Sequence, residues 1–478
     1  MIFRAKTLKR LTLSGLPFAD ASSEGLPMAQ LLRLSLFQVS VGMAMVLLLG
    51  TLNRVMIVEM GVAASVVAAM IALPVLVAPF RALLGHRSDT HRSAIGWKRI
   101  PYLWFGSLWQ MGGLAIMPFA LILLSGDQVR GPVWAGEVLA AAAFIMTGVG
   151  MHMTQTAGLA LASDRATDET RPRVVALLYV MYLLGMAVSA ILLGLLLADF
   201  SNLRLVRVVQ GCGVATMVLN LIALWKQEKI RPMSNDERAA PRPTFGSAWR
   251  DYMDGGQAGR LLLVVAVGGL AFNMQDVLLE PYGGEILKLS VSATTMLSML
   301  TAVGALLGFG LAARWLFQKL DPYRMAGRGL MIGIMAFSAV IFAAPMGSTA
   351  LFFAGAFGIG LGGGLFSVAT LTAAMTMPTV AGQGLALGAW GAAQATAAGL
   401  ATALGGGLRD LVGDFAMSGG AGAALAYPAV GYTFVYHLEI GLLFATLIAL
   451  GPLVKLRIFT DETRNGPDTR VGIADFPT

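Results

Sequence analysis

Charge is scarce in this chain. Asp, Glu, Lys and Arg make up 13% of its 478 residues, where soluble domains carry about 25%. That shortage excludes an ordinary water-soluble domain. Cysteine is nearly absent as well. Cys212 stands alone, so no intrachain disulfide can form and no cysteine pair can hold zinc or iron. Its neighbours Gly211 and Gly213 make it a small packing residue. There is no G-x-x-x-x-G-K phosphate loop and no H-E-x-x-H metal site, so catalytic or metal chemistry is not expected. Ten-residue segments of alternating polarity are missing, which argues against a β-barrel. Residues 1–32 lack a short apolar core with a small-residue cleavage site, so no cleavable signal is expected.

Apolar side chains fill the space: 56% of the residues are hydrophobic. They form twelve stretches, roughly 36–57, 62–84, 101–125, 133–162, 174–198, 204–225, 261–280, 292–316, 326–345, 350–377, 383–408 and 431–454. A helix needs about 20 such residues to cross a bilayer, and unbroken apolar runs satisfy their backbone there only as helices. The expected fold is an all-α polytopic membrane protein of twelve transmembrane helices.

The net charge of +8 follows the loops. With both termini on one side, 28 of the 34 Lys and Arg fall on that side. Basic residues prefer the cytoplasmic side, so both termini are expected there, and the basic excess reflects topology rather than a nucleic-acid surface. The longest polar stretch, 226–259, contains Pro232, Pro241 and Pro243, which oppose one long helix. It divides the chain into a cytoplasmic segment 1–32, a six-helix half 33–225, a cytoplasmic linker 226–259, a second six-helix half 260–456 and a cytoplasmic tail 457–478. A short echo supports duplication: LNRVMIVE (Leu52 to Glu59) closes helix 1 and NMQDVLLE (Asn273 to Glu280) closes helix 7.

After the second stretch comes GHRSDTHRSAIGWKR, Gly85 to Arg99. Gly85, Asp89 and Arg92 keep the spacing G-x-x-x-D-x-x-[RK], which resembles the helix 2–helix 3 loop of the major facilitator superfamily. Asp89 can cap a neighbouring helix and pair with Arg92 or Arg87. Such a cluster latches one conformation and releases it in another. Loss of a partly exposed pair of this kind costs roughly 0–1 kcal/mol. The equivalent segment between helices 8 and 9 is degenerate, with Asp321 as its first acid. Gly360/Gly364 and Gly384/Gly388 have G-x-x-x-G spacing, which suits close helix packing within the chain or in a homo-oligomer.

Longer motifs carry a more specific resemblance. LLRLSLFQVSVGMA (Leu31 to Ala44), GTLNRVMIVEMGV (Gly50 to Val62) and GHRSDTHRSAIGWKRIPYLWFG (Gly85 to Gly106) resemble the PucC/LhaA family. So do MHMTQTAGLALASD (Met151 to Asp164), RPRVVALLYVMYLLGM (Arg171 to Met186) and NLIALWKQE (Asn220 to Glu228). These are major-facilitator-like proteins of phototrophic bacteria, also called the bacteriochlorophyll delivery family. The resemblance implies a light-harvesting assembly factor that hands bacteriochlorophyll to antenna polypeptides or chaperones them. It implies a bacterial inner or intracytoplasmic photosynthetic membrane. It also implies membrane lipids, antenna polypeptides and bacteriochlorophyll or its synthase as partners, with no nucleic acid. No covalent cofactor is expected; bacteriochlorophyll and carotenoid would be cargo. Length and N-terminus are most similar to the LhaA branch, which serves the core antenna. A PucC-type factor for the peripheral antenna, or a proton-coupled transporter of a small solute, are the alternatives.

Intramembrane polar residues complete the reading, since an ionisable group in a bilayer is costly and marks a site. Asn53, Arg54 and Glu59 end helix 1, and Asp276 and Glu280 end helix 7. Arg54 paired with Asp276 or Glu280 would make a gate between the halves; the simpler alternative is that all of them snorkel into water. His152 and Gln155 share one face of helix 4. A neutral imidazole can ligate the magnesium of bacteriochlorophyll, which makes His152 the first candidate and His437 the second, or it can bond a neighbouring helix. The acids are expected near the helix ends, which favours an assembly factor over a transporter.

Overall fold

A computed structural model describes residues 19–465, apart from positions 54, 61, 63, 126–132, 198, 231, 237–240, 255, 290, 378–381 and 421. Among the described residues there is no strand, and twelve long rods account for the architecture. In the first half they are α1 (Met28–Met45), α2 (Ala64–Val77 continuing as Arg81–Asp89), α3 (Ile100–Ser125), α4 (Val133–Arg165), α5 (Arg171–Leu196) and α6 (Asn202–Leu224). In the second they are α7 (Gln257–Asn273 continuing as Leu279–Glu285), α8 (Val291–Phe317), α9 (Pro322–Ala343), α10 (Thr349–Thr376), α11 (Gln383–Met417) and α12 (Val430–Asn465). Among the described residues, eleven helices are long and apolar enough to cross a membrane. The rod outside that set is α11, whose Gly- and Ala-rich sequence ends in Arg409, Asp410 and Asp414.

The two halves repeat one packing plan. α1 lies against α5 and α6, α4 against α2 and α3, and α3 against α6. In the second half α7 lies against α11 and α12, α10 against α8 and α9, and α9 against α12. Glycines set the tightest seams. A Cβ at Gly150 of α4 would run into the α3 backbone at Gln110, and one at Gly360 of α10 into the α8 backbone at Thr301. Small residues of this kind replace the hydrophobic driving force that lipid removes.

Three rods are irregular. α2 passes through a 3-10 turn, Ala78–Phe80, at Pro79, where the ring cannot donate to the helix ladder. α1 loosens into π turns at Val46–Leu52 and Val55–Glu59. α7 breaks into a 3-10 turn at Met274–Val277. The second π turn of α1 and the 3-10 turn of α7 lie on the echoed segments LNRVMIVE and NMQDVLLE, so both halves carry an irregular stretch at the same point of the echo.

The halves meet unevenly. α2 packs along α11, and α5 along α8 and α10. The larger apolar core joins both halves at the end that carries the 86–99 turn, whereas the smaller core, around Leu47, Met117 and Phe144, belongs to the first half alone. A short helix in the linker, Phe245–Met253, is capped by the Thr244 hydroxyl and lies across the ends of α2 and α7. It buries Ala248 and Tyr252 and sets Phe245 edge-on to His86 at 5.7 Å.

Candidate functional site

The 86–99 turn builds a buried charge cluster between the halves. Asp89 Oδ1 accepts the Gly384 amide at 2.9 Å and Oδ2 accepts the Leu385 amide at 2.7 Å. The carboxylate of the first half therefore caps α11 of the second, where orphan amides and the helix dipole favour an anion. Space for it depends on glycine. Gly382 has φ +95°, and a Cβ at Gly382 or Gly384 would meet the Asp89 carboxylate. A Cβ at Gly85 would strike the Gly384 carbonyl.

Arg99, just before α3, is fully buried and holds this carboxylate from below. Its Nη2 pairs with Asp89 Oδ1 at 2.5 Å, its Nε with Asp164 Oδ2 at 2.9 Å, and its Nη1 donates to the Ser88 hydroxyl. Burial alone would lower the Arg99 pKa; the Asp164 and Asp89 carboxylates outweigh it and raise it. The guanidinium is thus charged at any pH the protein meets. Glu228, which follows α6, accepts the Lys98, Arg99 and Ile100 amides at 3.0–3.1 Å and caps α3. Arg165 ties α4 to the Gly25 carbonyl, Gln30 and Gln227. α2, α3, α4 and the segment after α6 are thus tied together at this end of the first half.

The expected partner of Asp89 was Arg92 or Arg87. The buried guanidinium at that carboxylate is Arg99 instead. It lies ten positions along, where the start of α3 turns it inward, and the pair is enclosed rather than partly exposed: the Asp89 side chain is 5% accessible. Gly85 is at the contact, while Arg92 is half-buried in the turn with its own interactions.

The opposite end is held differently. Arg409 Nη2 pairs with Glu285 at 2.8 Å, and its guanidinium covers the Tyr432 ring at 4.5 Å. All three residues belong to the second half. The gate expected from Arg54 lies outside the described residues. Asn53 is half-buried and Glu59 exposed. Asp276 bonds the adjacent Gln275 and faces a cavity of 190 Å³ between α7, α8, α10 and α11. Glu280 is exposed, with interactions of its own.

The expectation that the acids sit near open helix ends needs a correction. Glu439 of α12 is 0% exposed, and its carboxyl oxygens have no well-formed hydrogen bond among the described residues, the Gln275 backbone being the donor beside them. His152 Nε2 lies 2.9 Å from the Pro74 carbonyl of α2, so it must donate, which leaves the lone pair on Nδ1. Gln155 reaches Gln38 of α1 at 3.5 Å. Both side chains thus bridge helices of the first half. His437 is exposed and bonds its own helix at the Thr433 carbonyl. His152→Leu should lower the melting temperature by removing an interhelical bond worth about 1 kcal/mol. His152→Gln, which can still donate to Pro74, should recover most of it. A fall in pigment per protein without any change in melting would assign His152 the ligand role instead.

The PUCC protein family matches residues 51–458. The chain belongs to that family. A relative from Rhodobacter capsulatus, the uncharacterized protein in the puhA-bchM intergenic region, is 63% identical over the full length of both chains. Protein PucC of Rhodovulum sulfidophilum is 54% identical over 83% of this chain and 88% of its own. Among solved structures, a bacterial homologue of the iron transporter ferroportin in an outward-facing state superposes with a TM-score of 0.69. That match covers 89% of this chain and 98% of that one at 16% identity. The likeness shows the fold alone: this PUCC chain has the major facilitator architecture, and its buried charge cluster lies at the end where α2 of one half meets α11 of the other.

Sequence reasoning missed two parts of the cluster. Arg99 entered only as the last residue of the charged segment; its signal is the helix start Ile100-Pro101 immediately after it, since proline favours the first turn. Glu228 as the α3 cap has no local signal, because it arrives from 128 positions away.

Proposed function

We propose that this PUCC protein is a non-enzymatic assembly factor for the core light-harvesting antenna. It would hand bacteriochlorophyll to antenna polypeptides or chaperone those polypeptides in the photosynthetic membrane. The observation that carries the reading is a 590 Å³ cleft between the halves, lined by α2, α7, α11 and the linker helix. Its walls include Pro79, Phe245, Trp249, Leu270, Ala393 and Leu400, and only Thr396 and the Trp249 indole bring side-chain polar atoms. Such a lining suits an apolar tetrapyrrole, a phytyl chain or a membrane helix, not a small polar solute. The chain is more similar to the uncharacterized protein of the puhA-bchM intergenic region than to Protein PucC, which weighs against a PucC-type role. Charge asymmetry supports a cytoplasmic position for the latched end and the linker.

Deleting the gene should lower assembled core antenna while bacteriochlorophyll synthesis continues. Membrane absorbance and extracted pigment measure the two separately. Loss of pigment synthesis would point to a synthase subunit, and loss of the peripheral complex alone to a PucC-type role. The enclosed Glu439 and the cavity-facing Asp276 favour a second reading, a cation-coupled transporter built on the broken α7. Solute uptake without any antenna defect would support that reading.

A further inference from the structure

Arg81 lies inside a membrane span, Ala69–Asp89, and is 3% exposed. A buried intramembrane charge needs a partner. Here the described neighbours supply hydrogen bonds and no carboxylate. Nε donates to the Thr156 hydroxyl of α4 at 3.0 Å, and Nη1 to the Gly391 carbonyl of α11 at 3.3 Å. The ionisable side chains acting on the guanidinium are Tyr179 and His152. Nη2 has no hydrogen-bond partner among the described residues. The bed for this group is built for it, since a Cβ at Gly391 would collide with the guanidinium.

Two more polar groups in the same place lack well-formed hydrogen bonds, the Tyr179 hydroxyl of α5 and Gln394 Oε1 of α11. The hydroxyl lies beside the Gln394 amide, and the Tyr179 ring packs on Phe309 with centroids 4.9 Å apart. Gln394 and Phe309 both line the 190 Å³ cavity. The guanidinium thus connects to that cavity through Tyr179 and Gln394, with spare donors on Arg81 Nη2 and the Tyr179 hydroxyl and a spare acceptor on Gln394 Oε1.

We infer that Arg81, Tyr179 and Gln394 anchor one anionic group, the carboxylate or phosphate of an amphiphile taken up between the halves. A guanidinium fork fits either anion, and the phenol and amide add neutral donors. Asp276 lines the same cavity and repels a second anion, so the site takes a single one, on the Arg81 side. The free propionate of an unesterified chlorin is one source, and rests on the pigment-handling reading. An anionic phospholipid is the other, and does not.

The test uses the full chain in nanodiscs, with chlorophyllide a and its methyl ester as probes, and phosphatidylglycerol against phosphatidylcholine as lipids. The free acid should bind at least about tenfold tighter than the ester. The preference should vanish in Arg81→Gln, survive in part in Arg81→Lys, and vanish in Gln394→Glu, whose own carboxylate would occupy the guanidinium and raise the melting temperature. Selective stabilisation of the wild type, but not of Gln394→Glu, by phosphatidylglycerol would support the site with a lipid as its ligand. If neither chlorin binds while that lipid response is present, the pigment reading fails and the anion site stands. Equal binding of acid and ester with equal response to both lipids overturns the site, and leaves the pigment reading intact. Should Arg81→Gln not fold, Gln394→Glu decides alone.

Discussion

Arg99→Met should be the most damaging single substitution at the closed end. It strands two carboxylates, Asp89 at 5% and Asp164 at 31% side-chain accessibility. Removing one partner of a buried ion pair costs about 3–5 kcal/mol, because the remaining charge stays enclosed. The lower part of that range is expected, since Asp164 can turn toward water. Ser88 also loses the donor to its hydroxyl. Arg99→Lys should recover only part of the loss, because a point charge cannot serve two carboxylates and a hydroxyl along a planar fork. Asp89→Asn is predicted to cost less than Arg99→Met, since an amide oxygen can still accept one of the two α11 amides. Even so, it should cost more than the roughly 0–1 kcal/mol of an exposed pair. Melting curves in mild detergent for both single variants and the double variant measure the coupling. Strong non-additivity is expected for groups in contact. Additive effects, or wild-type melting of Arg99→Met, would show that the cluster holds nothing.

What the sequence disclosed and what it hid follow from the range of the interactions. The helices, their division into two sets of six and a helix-capping carboxylate at Asp89 were legible because they rest on local apolar runs and a short motif. Asp89 was legible as a helix cap, but its helix was not: α11 begins almost 300 positions later, and no local pattern joins them. Arg81 lies near the polar end of the stretch 62–84, where a basic residue draws no notice, yet α2 continues through it to Asp89 and carries it inside. The break in α7 was hidden as well, since MQDV contains neither glycine nor proline and its 3-10 turn is imposed by packing against α11 and α12.

The second large effect is predicted at Gly85. Its Cα faces the backbone of Gly384, and a Cβ there would overlap the Gly384 carbonyl. A colliding backbone cannot rotate away as a side chain can, so Gly85→Ala forces α2 and α11 apart. Overpacking of this kind costs about 1–3 kcal/mol, occasionally more. The closed end would bear that cost, because the two amides donated to Asp89 form only while α2 touches α11. A bundle with two arrangements then shifts toward the one in which this contact is open. Spin labels at Ala94 and Lys319, both exposed and one in each half, would read the separation once the sole cysteine, Cys212, is replaced. Gly85→Ala should lengthen and broaden that distance by several ångströms, and Gly384→Ala should do the same, since its Cβ meets the Gly85 carbonyl and Arg99. Gly441, where a Cβ would stand in open space, is the control: Gly441→Ala should leave the distance unchanged. If all three variants gave the wild-type distance and melting temperature, the α2–α11 contact would not be what keeps this end shut.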